Sequence, residues 1–462
     1  MWRFVARPAA AVCLAAAVLL ALSPAQAADA SLVFRVVELL RDEHVARPDP
    51  VQLYRAAVDG LRQALQQAGI TTPLADLFAR GEDHAREQFQ LRFDQAVRAA
   101  AGRLTERDLQ FAAARAAAAS LRDSHTGFIT PERLAELRRQ QQNEAAFTGI
   151  GILLLSKDGR FYARLVFSGS PAQRAGLRPF DRIVAIDGIS TEGMTADQVS
   201  SRIRGPQGTQ VTLTVQRPGQ PGPVVVPIVR EPIVVPAVEH AVLEGGVGYV
   251  RFGQFNQGSS ARLARAVAEL QQQGIRGLVL DLRGNPGGFV SELNRVAELF
   301  LPRGSLVYTL ESREEGRRSY VTRSGPVLDT SVPMVVLVDD DTASAAELLS
   351  AALRDHGRAP LVGVRTAGAV LVSVTFPLPG GAGLSVAIAR MLTPRGEELE
   401  GRGLQPDAEV DLTVADLDRG FDSQLAKGRE ELARLARQSR AGAPRETTSA
   451  LFKRAAALPA VP

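Results

Sequence analysis

The stretch "DDDTASAAELLSAALRDHG" places a serine where a hydroxyl could attack a carbonyl. Ser344 follows an apolar run, "PMVVLV", and an acidic turn, Asp339–Asp341, and it opens a helix-patterned segment. Free backbone N–H groups and the positive end of the helix dipole face such a position. Groups of that kind can stabilise an oxyanion. The N–H of Ala345 is one candidate donor, and Gly287 or Gly288 in the "RGNPGG" loop supplies a second. Ala343, Ala345 and Ala346 leave room for a substrate backbone. The same spacing also suits a plain helix cap by Thr342 or Ser344, so spacing alone leaves both readings open.

An attacking serine needs a base. The only lysines are Lys157, Lys427 and Lys453, and Arg365 nearby stays protonated. Histidine suits neutral pH, and there are five. His44 and His84 fall in charged helical stretches and are expected to be solvated. His240, in "AVEHAVLEGG", has no evident role. His356 ends the helix that Ser344 begins, roughly 18 Å away at about 1.5 Å per residue, and suits a cation at a helix C-terminus. His125, in "LRDSHTGFIT", remains, far from Ser344 in sequence.

The elements that must position these groups fall into blocks. Residues 1–27 read as a secretory signal peptide: Arg3 and Arg7, an apolar run, then Ala25-Gln26-Ala27 as a small-x-small cleavage site. Export to the periplasm or exterior follows, with no stable membrane span. Cys13 and Trp2, the only residues of their kinds, leave with that segment, so no disulfide, thiol nucleophile or Cys-ligated metal is available. The net charge of +4 over 462 residues gives no argument for nucleic acid. Residues 28–144 show helical periodicity, with Thr130 and Pro131 as the start of a helix. Residues 145–220 change to short strands and turns, a small partly open β-barrel module, followed by "RPGQPGPV" as a hinge. Residues 221–415 alternate strand and helix, which implies parallel strands, with a hairpin turning at Pro379-Gly380-Gly381. Residues 416–462 hold a helix, near 415–438, and a mobile tail.

"FTGIGILLL…SPAQRAGLRPFDRIVAIDG", "LVLDLRGNPGG", "DDDTASAAELLSAALRDHGRAPLVG" and "EGRGLQPDAEV", in this order, resemble the carboxy-terminal processing, or tail-specific, serine peptidases. The resemblance implies an α+β multidomain fold: a helical N-terminal region, a PDZ β-barrel module and a crotonase-like α/β protease core. It implies Ser344 as nucleophile. In the PDZ module it implies a peptide strand added beside Phe147, Thr148, Gly149, Ile150, Gly151 and Ile152, where Gly149 and Gly151 allow unusual φ and close approach.

The resembling family's usual base is a lysine in a T-x-G-K segment, with glutamine four residues on. Here "TAGAVLVS" has Ala369 and Ser373 at those places. A related branch, which includes tricorn-type peptidases, uses a Ser-His pair and a glutamate. By that likeness Ser124 and His125 form the pair, and Glu400 is the acidic member, with Glu397 and Glu398 as competitors; the alternative is a structural or substrate-contacting His125, as the lysine branch often has at this place. The implied function is a serine endopeptidase acting near C-terminal tails of polypeptides, as a homo-oligomer or with an adaptor protein. The alternative is an inactive peptide-binding pseudopeptidase or adaptor, and a crotonase-type acyl-thioester activity is a distant third. No cofactor and no metal is expected; the acidic turn Asp339–Asp341 is read as solvated.

Overall fold

The structure, a computed structural model, describes residues 28–142 and 147–442. The segment 1–27, read from the sequence as a signal peptide, and the segment from 443 onward, read as a tail, lie outside the described residues.

Five helices, Ser31–Glu43, Pro50–Gln67, Glu82–Ala100, Glu106–Ala119 and Pro131–Gln141, lie in the N-terminal region among the described residues. The starts of the second and fourth are set by side chains that satisfy free N–H groups, whereas the first and third have no side-chain cap. Asp49 accepts from Val51 N ahead of Pro50, and Thr105 and Asp108 form a reciprocal capping box. The Ala-rich fourth helix lies against the second. A Cβ at Gly60 would stand 2.6 Å from Ala112 O and Ala116 Cβ. The buried face, including Val36, Leu40, Tyr54, Phe89 and Phe93, continues onto Leu378, Leu384 and Val386 of the distant hairpin. Each large apolar side chain buried there contributes about 1.5–3 kcal/mol, so these helices are anchored to the core more firmly than surface ion pairs could hold them.

That hairpin is Leu371–Pro377 with Gly383–Leu392, turning at Pro379–Gly381 as expected, with Gly380 at φ 71°. The strand Gly127–Ile129 adds antiparallel to it, Gly127 opposite Ser385. The turn 123–126 is thereby carried to the hairpin that leaves the segment 363–373. The strands Leu306–Ser312 and Gly316–Val321 complete this sheet.

The second core sheet runs in the order 238–243, 247–252, 277–281, 334–338, 361–363, 408–409. Its first pair is antiparallel and the rest are parallel. The central strands Gly277–Asp281 and Met334–Val338 are wholly buried, as continuous apolar runs require. Helices Ser259–Gln272, Val290–Ala297 and Ala345–Asp355 cover one face.

The PDZ module has a five-strand path, 152–157, 160–166, 182–186, 210–216 and 223–229. Residues 217–222 are therefore the turn of a hairpin and not a hinge, and the last strand lies past the expected boundary at 220. Pro and Gly mark both kinds of segment, and only the paired strand beyond distinguishes them. Arg217 at the turn is itself buried against Asp181, 2.7 Å away. The C-terminal part holds two helices, Val414–Arg419 and Ser423–Gly442, because Gly420 adopts φ 69° between them. Leu432 of the second packs under the parallel sheet.

Candidate active site

Ser344 sits between the end of a buried strand and the start of the helix Ala345–Asp355, with φ 56° and ψ −120°. Positive φ is costly for a residue with a Cβ and persists only where the surroundings impose it. Here they do. Thr342 is fully buried, its hydroxyl accepting from Asp339 N, and Ala343 N donates to Asn285 O. Thr342 therefore closes the turn and does not cap the helix. Asp339 departs from the expected solvated turn. It is buried, accepts Gly284 N at 2.8 Å and pairs at 2.7 Å with Arg164 of the PDZ module.

The "RGNPGG" loop lies directly on the serine. A Cβ at Gly287 would stand 2.7 Å from Ser344 Cβ and 2.8 Å from Ala345 N, so only glycine fits. Gly287 itself is not a free donor, since its N–H goes to Asn285 Oδ1 at 2.9 Å. The N–H groups of Gly288 and Ala345 have no acceptor among the described residues. Gly288, at φ 139°, is held against the Phe255 backbone, where a Cβ would collide with Phe255 O.

Glu347, not singled out from the sequence, is the junction of the site. It is fully buried. Oε2 accepts Ser344 N at 3.0 Å and Ala369 N at 2.9 Å; Oε1 accepts Gly368 N at 2.8 Å and Thr366 Oγ1 at 2.5 Å. Burial pushes its carboxyl pKa up, and these four donors only partly offset that. The spacing Ser344-x-x-Glu347 is the capping-box signature that could have revealed it. Ala369 thus meets the serine through its backbone, both N–H groups sharing one carboxylate oxygen.

On the other side of the same segment stands Glu400. Its Oε2 accepts Val370 N at 2.7 Å and Ser124 Oγ at 2.9 Å, and its Oε1 accepts Ser124 N at 3.0 Å. Ser124 Oγ lies 2.6 Å from His125 Nδ1. The Ser124 hydroxyl has one proton. Given to Glu400, it leaves the oxygen to accept from Nδ1–H, and Nε2 of His125 is then unprotonated in the neutral ring. Burial lowers the His125 pKa below its usual value, opposed by the charges of Glu400 and Asp123. Ser124, His125 and Glu400, 276 residues apart in sequence between the first and last, are thus in one hydrogen-bonded chain. Glu397 and Glu398 face Arg354 and Arg390 instead.

Most of the other candidate bases among the described residues are committed elsewhere. Lys157 pairs with Asp411 at 2.7 Å, and Lys427 with Glu430 at 3.0 Å. His240 meets Glu269, and His356 Nε2 lies 2.7 Å from Leu306 O. His84 is exposed, as expected, but His44 is not: it is 3% exposed and bonded to Asp123. A charged sequence neighbourhood does not report burial once the neighbours point to opposite sides of a helix end.

In the PDZ module the strand Ile152–Lys157 is a sheet edge. With Phe147, Gly149, Ile150, Gly151 and Ile203 it lines a groove of about 310 Å³. Thr148 does not line it and pairs with Pro232 in a two-stranded ribbon. Of the two glycines only Gly151 needs its freedom, at φ 81°; Gly149 has no positive φ. A Cβ at Gly151 would overlap Ser170 Cβ. Gly151→Ala is expected to cost at least about 1–2 kcal/mol from the left-handed backbone alone. Thermal unfolding should show a lower midpoint, and a fluorescence titration weaker binding of C-terminal peptides; unchanged values in both would refute the assignment.

A PDZ module joined to an α/β core with a strained serine at a helix start defines a serine hydrolase of the tail-processing type. Residues 246–410 match the model of peptidase family S41, and residues 164–217 match a PDZ domain. The chain is 34% identical over 312 residues to a carboxyl-terminal-processing protease of Synechocystis, covering 67% of this chain and 72% of that one. It is 31% identical over 293 residues to the carboxy-terminal processing protease CtpA of Bacillus subtilis, covering 63% and 62%. A solved photosystem II D1 C-terminal processing protease superposes with a TM-score of 0.50 at 28% identity, covering 83% and 93% of the two chains. The chain belongs to the carboxyl-terminal-processing protease family.

Proposed function

We propose that this chain is an active endopeptidase, exported to the periplasm or exterior, that cuts polypeptides near C-terminal tails held by its PDZ groove. Ser344 attacks the scissile carbonyl. His125 Nε2 takes its proton, and the Ser124–Glu400 chain holds the ring in the accepting tautomer and stabilises the imidazolium that forms. The N–H groups of Ala345 and Gly288 receive the oxyanion, while Gly287 contributes by lacking a side chain. His125 then returns the proton to the leaving amine, and water attacks the acyl-enzyme with the same base. The observation that carries the reading is the unbroken set of hydrogen bonds Glu400–Ser124–His125 anchored on Val370, one residue from the Ala369 N–H that shares Glu347 with Ser344. A pseudopeptidase would have no need of a base-bearing tautomer beside an intact oxyanion loop. The export reading rests on the segment 1–27.

The test is a fluorophosphonate probe on the mature protein, beside cleavage of an unfolded substrate. Wild type is expected to label at Ser344 and cut; Ser344→Ala should do neither and keep its affinity for C-terminal peptides. Peptide binding without labelling or cutting in the wild type would instead establish the adaptor reading.

A further inference from the structure

We infer that His44 and Asp123 are positioning residues for His125, a buried clamp supplied by the N-terminal helices; the inference rests on His125 acting as the base. Asp123 Oδ1 accepts His125 N at 2.9 Å and Thr126 N at 2.7 Å, which sets the turn that carries the ring. Its Oδ2 is held at 3.0 Å by His44 Nε2. His44 is in turn fixed in one tautomer, because its Nδ1 accepts Ala46 N at 3.1 Å and Nε2 must therefore carry the proton. Both turns are pinned at one residue of the hairpin: Ala387 O accepts Val45 N at 2.8 Å, and Ala387 N donates to Thr126 Oγ1 at 3.1 Å. Burial alone would raise the Asp123 carboxyl. The donors from His44, His125 and Thr126 outweigh it, bringing the pKa down to about 2.

An aspartate bonded only to its own turn would leave that turn free to tilt. Tied to a buried imidazole on a different helix end, it sets where the His125 backbone lies relative to Glu400 and the 363–373 segment. A displacement of about 1 Å at a reacting group can cost two orders of magnitude in rate. Asp123→Asn is nearly isosteric, yet its amide N–H would face His44 Nε2–H, and His44 cannot change tautomer without facing Ala46 N–H with a second donor. The substitution therefore breaks the tie while keeping the turn's acceptor.

The experiment uses the full mature chain, with kcat normalised to the amount of Ser344 that fluorophosphonate finally labels. This normalisation removes losses from misfolding. His44→Leu and Asp123→Asn are expected to lower kcat by about ten- to a hundredfold with KM unchanged. His44→Gln, which restores a donor, should recover to within about threefold of wild type. Wild-type kcat in both disrupting variants overturns the inference, as does a loss confined to KM or a loss that Gln does not rescue. If His44→Leu does not fold, Asp123→Asn decides. His125→Ala run in parallel separates the two levels. A dead His125→Ala beside silent clamp variants overturns only the clamp, whereas a fully active His125→Ala overturns both readings.

Discussion

His125→Ala should lower kcat/KM by about three to four powers of ten, roughly 4–5.5 kcal/mol of barrier, while leaving the thermal midpoint close to that of wild type. The magnitude follows from the absence of any substitute. Lys157 and Lys427 are paired with carboxylates, and the 363–373 segment has no lysine. His44, His240 and His356 are each engaged with another partner. Ser344 would then have to lose its proton to water, and only the oxyanion donors and substrate binding would remain to lower the barrier. Stability should survive, since the turn is held by the His125 backbone N–H on Asp123 and not by the ring. Among the described residues the ring's polar contact is with Ser124 alone, which keeps Glu400 as partner in the variant. Rates of fluorophosphonate labelling at Ser344 should fall in step with cleavage. Full activity in a folded His125→Ala protein would dispose of the base assignment.

The parts of this arrangement that could be read from sequence are those carried by local pattern. Apolar runs bounded by turns gave the parallel strands around Leu278–Leu280 and Val335–Leu337, and Pro379-Gly380-Gly381 marked the hairpin. Ser124, His125 and Glu400 were reached by resemblance, and the geometry brings them together. Glu347 has a local signature, the capping-box spacing, but a glutamate three residues into a helix ordinarily caps in solvent, so that spacing does not mark a buried junction. Here the helix start is buried, so the same carboxylate also gathers Gly368 and Ala369. The His44–Asp123 contact has no local signature at all. The two residues are 79 positions apart, and only the packing of the helices on the hairpin makes them neighbours. Ala369 changes meaning in the same way. As a side chain it marks a missing amine; as a backbone N–H it helps tie the serine to the segment that Glu400 grips.

Glu400→Gln is the substitution that tests the tautomer itself. Glu400 accepts three donors: Ser124 N on one oxygen, and Ser124 Oγ and Val370 N on the other. A glutamine can offer an oxygen on only one side. If its NH2 faces Ser124 N, that backbone bond is lost and the Ser124 turn loosens. If its NH2 faces Val370 and Ser124 Oγ, the hydroxyl becomes an acceptor there and turns its proton to His125 Nδ1. The ring proton then moves to Nε2, and the base presents a donor where Ser344 needs an acceptor. Either outcome lowers kcat, by about a hundredfold or more, with a smaller change in KM. The pH profile adds an independent sign. In the wild type, burial depresses the His125 pKa, so the acid limb of kcat/KM should lie below pH 6.5, with activity lost as pH falls through it. The Glu400 charge opposes that depression. Its removal should therefore move the limb to still lower pH, even as the plateau drops. A limb that moves upward, or a plateau unchanged from wild type, would mean that Glu400 supports the loop around Val370 and not the proton on His125.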